Sequence, residues 1–119
     1  MRRQALGKWG EEQAAAYLQR QGLRVVERNY RCPLGEIDII ARDGDCLVFC
    51  EVKTRSSSRY GLPQEAVAWT KQQKIIKVAS WYLGDREPAA DIRFDVIAIT
   101  RSAAGRVEIE WLPAAFSLD

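Results

Sequence analysis

Hydrophobic positions along the chain recur with two periods, and the switches between them mark out the elements. From Leu6 to Gln21, the residues Leu6, Trp9, Gly10, Ala14, Tyr17 and Leu18 share one side at about 100° per residue, which predicts a helix stopped by Gly22. Leu23 to Asn29 reads as a strand, and Arg31-Cys32-Pro33-Leu34-Gly35 as a turn or loop. Glu36 to Arg42 and Cys46 to Lys53 are strands joined at Asp43-Gly44-Asp45, a hairpin signal. Thr54 to Pro63 is polar and predicts a mobile loop. Helical spacing returns over Gln64 to Leu83, with Ala68, Ile75, Ile76, Ala79, Tyr82 and Leu83 as the buried stripe and Gly84 as the stop. Ile92 to Thr100 and Arg106 to Trp111 are the last strands, and Pro113 opens a short tail. The order is helix, three strands, helix, two strands. It predicts one domain over residues 1–119: an antiparallel meander, a crossover helix long enough for a parallel return, and an α/β sandwich around a mixed sheet.

The central hairpin carries charge where strands are normally depleted of it. A two-residue turn on Gly44-Asp45, glycine first as a type II′ turn prefers, sets Asp43 against Cys46, Asp38 against Glu51 and Glu36 against Lys53. Period-two alternation then puts those four charged groups on one face with Ile40, Phe49, Arg42 and Leu47. Ile37, Ile39, Ala41, Val48, Cys50 and Val52 make an apolar face on the other side. A turn on Asp43-Gly44 instead puts Glu36 against Glu51, and still opposes two acids. Opposed carboxylates with Cβ atoms roughly 4.5–5.5 Å apart destabilise a sheet unless one takes a proton or a cation sits between them. Two carboxylates, a backbone carbonyl and waters suit Mg²⁺. A salt-bridged strand end, with Lys53 pairing Glu36 or Glu51, is the plainer arrangement of the same residues.

Composition narrows the chemistry. Histidine is absent from the 119 residues, which excludes Ser-His and Cys-His nucleophilic catalysis and most structural zinc sites. The three cysteines (Cys32, Cys46, Cys50) show no CxxC spacing and are expected reduced, as in a cytoplasmic protein. No run of apolar residues is long enough for a membrane span, and the N-terminus leads into an amphipathic helix instead of a signal peptide. The net charge of +2 conceals blocks: residues 1–35 carry +4, 36–52 carry −4, 53–77 carry +5 and 78–119 carry −3. An acidic centre between basic flanks suits a polyanion held at a metal site, and equally a mixed solvated surface.

Asp38 followed by Glu51-Val52-Lys53 on the neighbouring strand resembles the D…(E/D)xK signature of restriction-endonuclease-like nucleases. The segments "GKWGEEQAAAYLQRQG", "RNYR", "GEIDIIARDG" and "VFCEVKTR" together resemble the YraN-type family of small bacterial proteins, which is similar in turn to archaeal Holliday junction resolvases. The resemblance spans roughly Ala5 to Thr100. It implies a restriction-endonuclease-like fold in which Asp38, Glu51 and the Val52 carbonyl bind Mg²⁺, with Mn²⁺ able to substitute. Lys53 would position the attacking water or stabilise transition-state charge. A helix-one glutamate, counted back from Gly22, falls on Glu11; Glu36 would bind metal or pair with Lys53. Ile37 departs from the motif, whose first letter is often Pro.

Basic groups would track phosphates without reading sequence: Arg28 and Arg31 before the site, Arg55 and Arg59 after it, and Lys71, Lys74 and Lys77 on the next helix. Tyr60 and Trp69 are possible base-stacking groups, and no helix-turn-helix is present. The expected function is a Mg²⁺-dependent DNA endonuclease selecting branched or repair-intermediate structures, with a homodimer supplying two cuts. The alternatives are a nucleic-acid-binding protein of the same fold that cleaves little or not at all, and a small structural protein with a surface ion pair.

Overall fold

The computed structural model describes residues 3–56, 67–84, 86 and 91–118. The first helix, α1 (Arg3–Arg20), buries Gly10, Ala14 and Leu18 of the expected stripe, and Ala15 beside them, while Leu6, Trp9 and Tyr17 are half-buried. Gly10 is the point of closest approach: a Cβ there would run into the Thr54 side chain. Only glycine lets α1 lie this close to the sheet.

Five strands follow in spatial order of their sequence: β1 (Arg24–Cys32), β2 (Gly35–Asp43), β3 (Cys46–Arg55), β4 (Asp91–Arg101) and β5 (Val107–Phe116). The first three form the antiparallel meander, β3 and β4 are parallel, and β4 and β5 are antiparallel. The second helix, α2 (Trp69–Leu83), lies in the crossover between β3 and β4. This is a mixed α/β sheet of the restriction-endonuclease-like type. Ile39, Ala41, Val48, Cys50, Val52, Ile97 and Ile99 pack with α1 on one face. Ile40, Leu47, Phe49, Phe94 and Val96 pack with Ile75, Val78, Ala79 and Tyr82 of α2 on the other. Phe49 ties that second layer together, meeting Tyr82 edge-on at 5.8 Å and stacking on Phe94 at 5.7 Å.

Several expectations need correction. The turn between β1 and β2 is only Pro33-Leu34, because Cys32 and Gly35 already pair. Ile37 joins the α2 layer with Ile40, not the α1 face with Ile39, so period-two alternation breaks at Asp38. Helix α2 begins at Trp69: Ala68 is extended (φ −66°, ψ 158°) and Val67 is buried as an anchor. Thr54 and Arg55 continue β3 against Ile99 and Thr100 instead of opening a loop. Ser56 follows as a bend, and the expected loop from residue 57, including Arg59 and Tyr60, and the expected start of the helix at Gln64 lie outside the described residues.

Pro113 does not end the last strand. β5 runs to Phe116 through an irregularity between Phe94 and Val96, with Ala114 at φ 53°. The cause is Asp95, fully buried between those two residues. Its carboxylate accepts from Arg93 Nε (2.9 Å) and Nη2 (3.0 Å), Trp111 Nε1 (2.9 Å) and the Ala114 N–H (2.9 Å). A bulge on an edge strand is where a proline, which donates nothing to the ladder, is tolerated. Trp111 also meets Tyr17 edge-on and Phe116 stacks on Phe94 at 5.1 Å, so both aromatics are spent on internal packing.

Candidate active site

The site begins with the turn. Gly44 has φ 60° and Asp45 is not in the left-handed region, the type II′ pattern. It sets Asp43 against Cys46 and carries the pairing through Arg42–Leu47, Ala41–Val48 and Ile40–Phe49 to Ile39–Cys50. There the β2–β3 ladder stops, whereas β3 stays paired to β4 through Glu51, Val52 and Lys53. The expected Asp38–Glu51 and Glu36–Lys53 steps are therefore not made as ladder pairs. In their place the Asp38 carboxylate reaches across and accepts the Val52 N–H at 2.8 Å. A strand residue presents its N–H and C=O to the same neighbour, so the Val52 carbonyl looks into the same opening.

On the other side of β2, Arg28 pairs with Ile39 and Tyr30 with Ile37, which leaves Asn29 level with Asp38. Asn29 has φ 53°. Outside glycine, asparagine and aspartate are the residues that most readily take this conformation. The local reversal lets Tyr30 and Ile37 both face α2 and leaves Asp38 between the two faces of the sheet. The site therefore opens to both helix layers.

Its electrostatics follow from that position. Glu51 is nearly buried, its side chain 7% exposed. Burial, then the charge of Asp38, push its carboxyl up from 4.5 to about 7, with Lys71 and Lys53 opposing. Burial also raises Asp38, against the Val52 N–H and a hydrogen bond shared with Glu51. The two acids act as one proton-sharing pair. Glu11 reaches the same place from α1: burial and Asp38 raise it, while Asn29 and Arg28 hold it down. Glu12 points to solvent.

The donor set suits a hard divalent cation: two carboxylates and a carbonyl facing one opening, with a pair that otherwise needs a proton. Among the described residues, no three acidic or cysteine side chains converge closely enough to hold a metal together. Asp38 and Glu51 act directly on each other, and the charge of Glu36 also bears on Asp38 while that of Asp38 bears on Glu11. Cys46 and Cys50 belong to β3 packing and are free thiols, as is Cys32.

The other predicted residues divide clearly. Lys71 of α2 places Nζ 3.7 Å from Glu51 Oε1 and also lines the groove that holds Arg31 and Lys74. Lys53 makes no ion pair with another described residue. Glu36 pairs with Arg31 at 3.1 Å across the β1–β2 turn, both exposed, and not with Lys53. Arg55 is only 8% exposed and donates to Thr100 Oγ1 at 3.1 Å, so it belongs to the sheet interior. Arg28, Lys74 and Lys77 are exposed, as is Trp69.

Two grooves flank the centre. One, of about 470 Å³, is lined by Arg31, Glu36, Lys71, Lys74 and Ile75 among others. The other, of about 580 Å³, lies along α1 and β1 and includes Lys8, Glu11, Arg28, Asn29 and Arg31. Lys8 and Asn29 escape a reading of the sequence. A lysine on a helix carries no signal of its own, but an asparagine inside an otherwise strand-like run is one.

The family model described as "Uncharacterised protein family UPF0102" matches residues 10–99, a span that includes the site. A UPF0102 protein of Syntrophotalea carbinolica is 48% identical over 118 residues, covering 98% of this chain and 95% of the relative. Those of Syntrophus aciditrophicus (51% identical, 94% of this chain, 88% of the relative) and Geobacter metallireducens (50%, 96%, 93%) are similar over nearly their whole length. The YraN-type motifs of the sequence and these near-full-length relatives agree: the chain belongs to the UPF0102 family.

Proposed function

We propose that this protein is a divalent-metal-dependent endonuclease that hydrolyses phosphodiesters in branched or repair-intermediate DNA. The observation that carries the reading is the Asp38–Glu51 pair, held at an opening in the sheet with Lys53 following on the same strand. Asp38, Glu51 and the Val52 carbonyl would hold Mg²⁺. When bound, Mg²⁺ supplies charge neutralisation and an acidified water. Lys53, on the same strand as Glu51 and without a described ion-pair partner, is left to face the scissile phosphate. Glu11 extends the acidic wall from α1.

The two grooves offer Lys8, Arg28, Arg31, Lys74 and, beyond them, Lys77 to backbone phosphates. Such contacts select shape and not sequence. Cutting opposed strands of a junction requires two such sites and therefore two copies of the chain. No helix of the described residues is long and apolar enough to cross a membrane, and free cysteines fit a cytoplasmic place of work.

Purified protein is expected to nick or cut branched DNA with Mg²⁺ or Mn²⁺, and Glu51→Ala or Lys53→Ala to abolish cutting while binding persists. One observation favours a second reading, a DNA-binding protein that does not cut: Glu51 already has a cation in Lys71. Junction binding without scission in any divalent ion would establish it.

A further inference from the structure

We infer that Lys71 is the site's internal counter-ion, held on Glu51 until a divalent cation displaces it onto a substrate phosphate, so that metal and nucleic acid bind with positive coupling. The inference rests on the metal-dependent reading above and assigns a positioning role that the nuclease signature does not contain.

Three observations carry it. The Lys71 ammonium lies 3.7 Å from Glu51, and the two side chains differ sharply in exposure, 43% against 7%. Lys71 thus reaches from solvent to a buried carboxylate. Secondly, Lys71 is the third residue of α2, whose first turn has no acid and whose N-cap, Ala68, offers no side-chain cap. The N-terminal turn of a helix disfavours a cation. Lys71 therefore sits against its local preference, and Glu51 is what compensates it. Thirdly, Lys71 lines the same groove as Arg31 and Lys74. A flexible four-carbon stem lets the ammonium move from Glu51 into that groove without any change in the helix.

Displacement follows from charge. A divalent cation on Glu51 removes the attraction that holds Lys71 and replaces it with repulsion at short range. The freed ammonium then joins Arg31 and Lys74, where a phosphate would pass. Reciprocity requires that nucleic acid in the groove strengthen metal binding by the same factor.

The test uses Lys71→Gln and Lys71→Arg in the full chain, with thermal unfolding to confirm that each folds. Mg²⁺ binding is titrated calorimetrically without nucleic acid at about pH 8.5, where proton competition at the carboxylates is small. Lys71→Gln is expected to bind Mg²⁺ about two- to fivefold more tightly than wild type, the scale of one partly exposed ion pair. Lys71→Arg is expected to stay close to wild type. In a second arm, junction-DNA anisotropy is compared in Ca²⁺ and in EDTA. Wild type gains affinity in Ca²⁺, Lys71→Gln loses most of that gain, and Lys74→Gln weakens both conditions alike. Unchanged or weaker Mg²⁺ binding in Lys71→Gln, beside a wild type that binds, overturns the role of Lys71 and leaves the metal reading intact. A wild type that binds no divalent ion overturns the metal reading itself.

Discussion

The acidic pair should make the protein's stability depend on pH in an unusual direction, and Glu51→Gln should remove that dependence. The carboxyl of Glu51 titrates near 4.5 when the chain is unfolded and at about 7 when folded, first because of burial and then because of Asp38. A raised folded value means that the native state holds a proton the unfolded state has released. The stabilising contribution is complete below the unfolded value and disappears as pH rises through about 7. A displacement from 4.5 to about 7 corresponds to about 3 kcal/mol in total, of which about 2 kcal/mol falls between pH 5.5 and pH 8. For a chain of 119 residues, that is a fall in melting temperature of about 8 °C. Asp38 titrates with Glu51, so the effect belongs to the pair. Urea unfolding in EDTA, repeated across this range for wild type and Glu51→Gln, reads the difference directly. Wild type should lose stability relative to the variant as pH rises, and Mg²⁺ should restore it at pH 8. Identical pH slopes in the two proteins would mean that Glu51 ionises as freely folded as unfolded, which a buried pair with Asp38 does not allow.

Other consequences concern the scaffold. Asp95→Ala strands Arg93 and Trp111 without their buried acceptor, and should cost about 3–5 kcal/mol in a urea titration. Gly10→Ala forces α1 away from Thr54, with an expected loss of about 1–3 kcal/mol that Thr54→Gly largely reverses in a double-mutant cycle. Asn29→Ala must hold a left-handed conformation without the side chain that favours it, at a cost of about 1–2 kcal/mol. Asn29→Gly, which takes that conformation freely, should return the unfolding midpoint to the wild-type value.

The hairpin was legible because one residue type decides it. Gly44 alone supplies the positive φ of a II′ turn, and the turn dictates the register as far as Ile39–Cys50. The parallel crossover followed from a helix of sufficient length between two apolar strands. The register could not be carried to the end of the hairpin, because the break is imposed from the neighbouring strand. Asn29 reverses the backbone opposite Asp38, and an alternation rule applied to β2 alone cannot see β1. Pro113 misled for a related reason: its tolerance depends on Asp95, distant in sequence and buried beneath it. Arg55 looked like a phosphate ligand because charge suggests solvent, yet Thr100 and the edge of β5 receive it inside the sheet. Lys71 was recognisable as a cation near the site. That it turns inward to Glu51 is a tertiary fact, set by where the crossover drops α2.

The role assigned to Asp38 and Glu51 is metal-dependent scission, and DNA cleavage reads it directly. End-labelled four-way junction DNA should be cut or nicked by the wild-type protein with Mg²⁺ or Mn²⁺. Asp38→Asn and Glu51→Gln, prepared identically, should bind the junction and leave it whole. Intact DNA with wild type in every divalent ion, or equal cleavage by wild type and Glu51→Gln, would contradict the assignment.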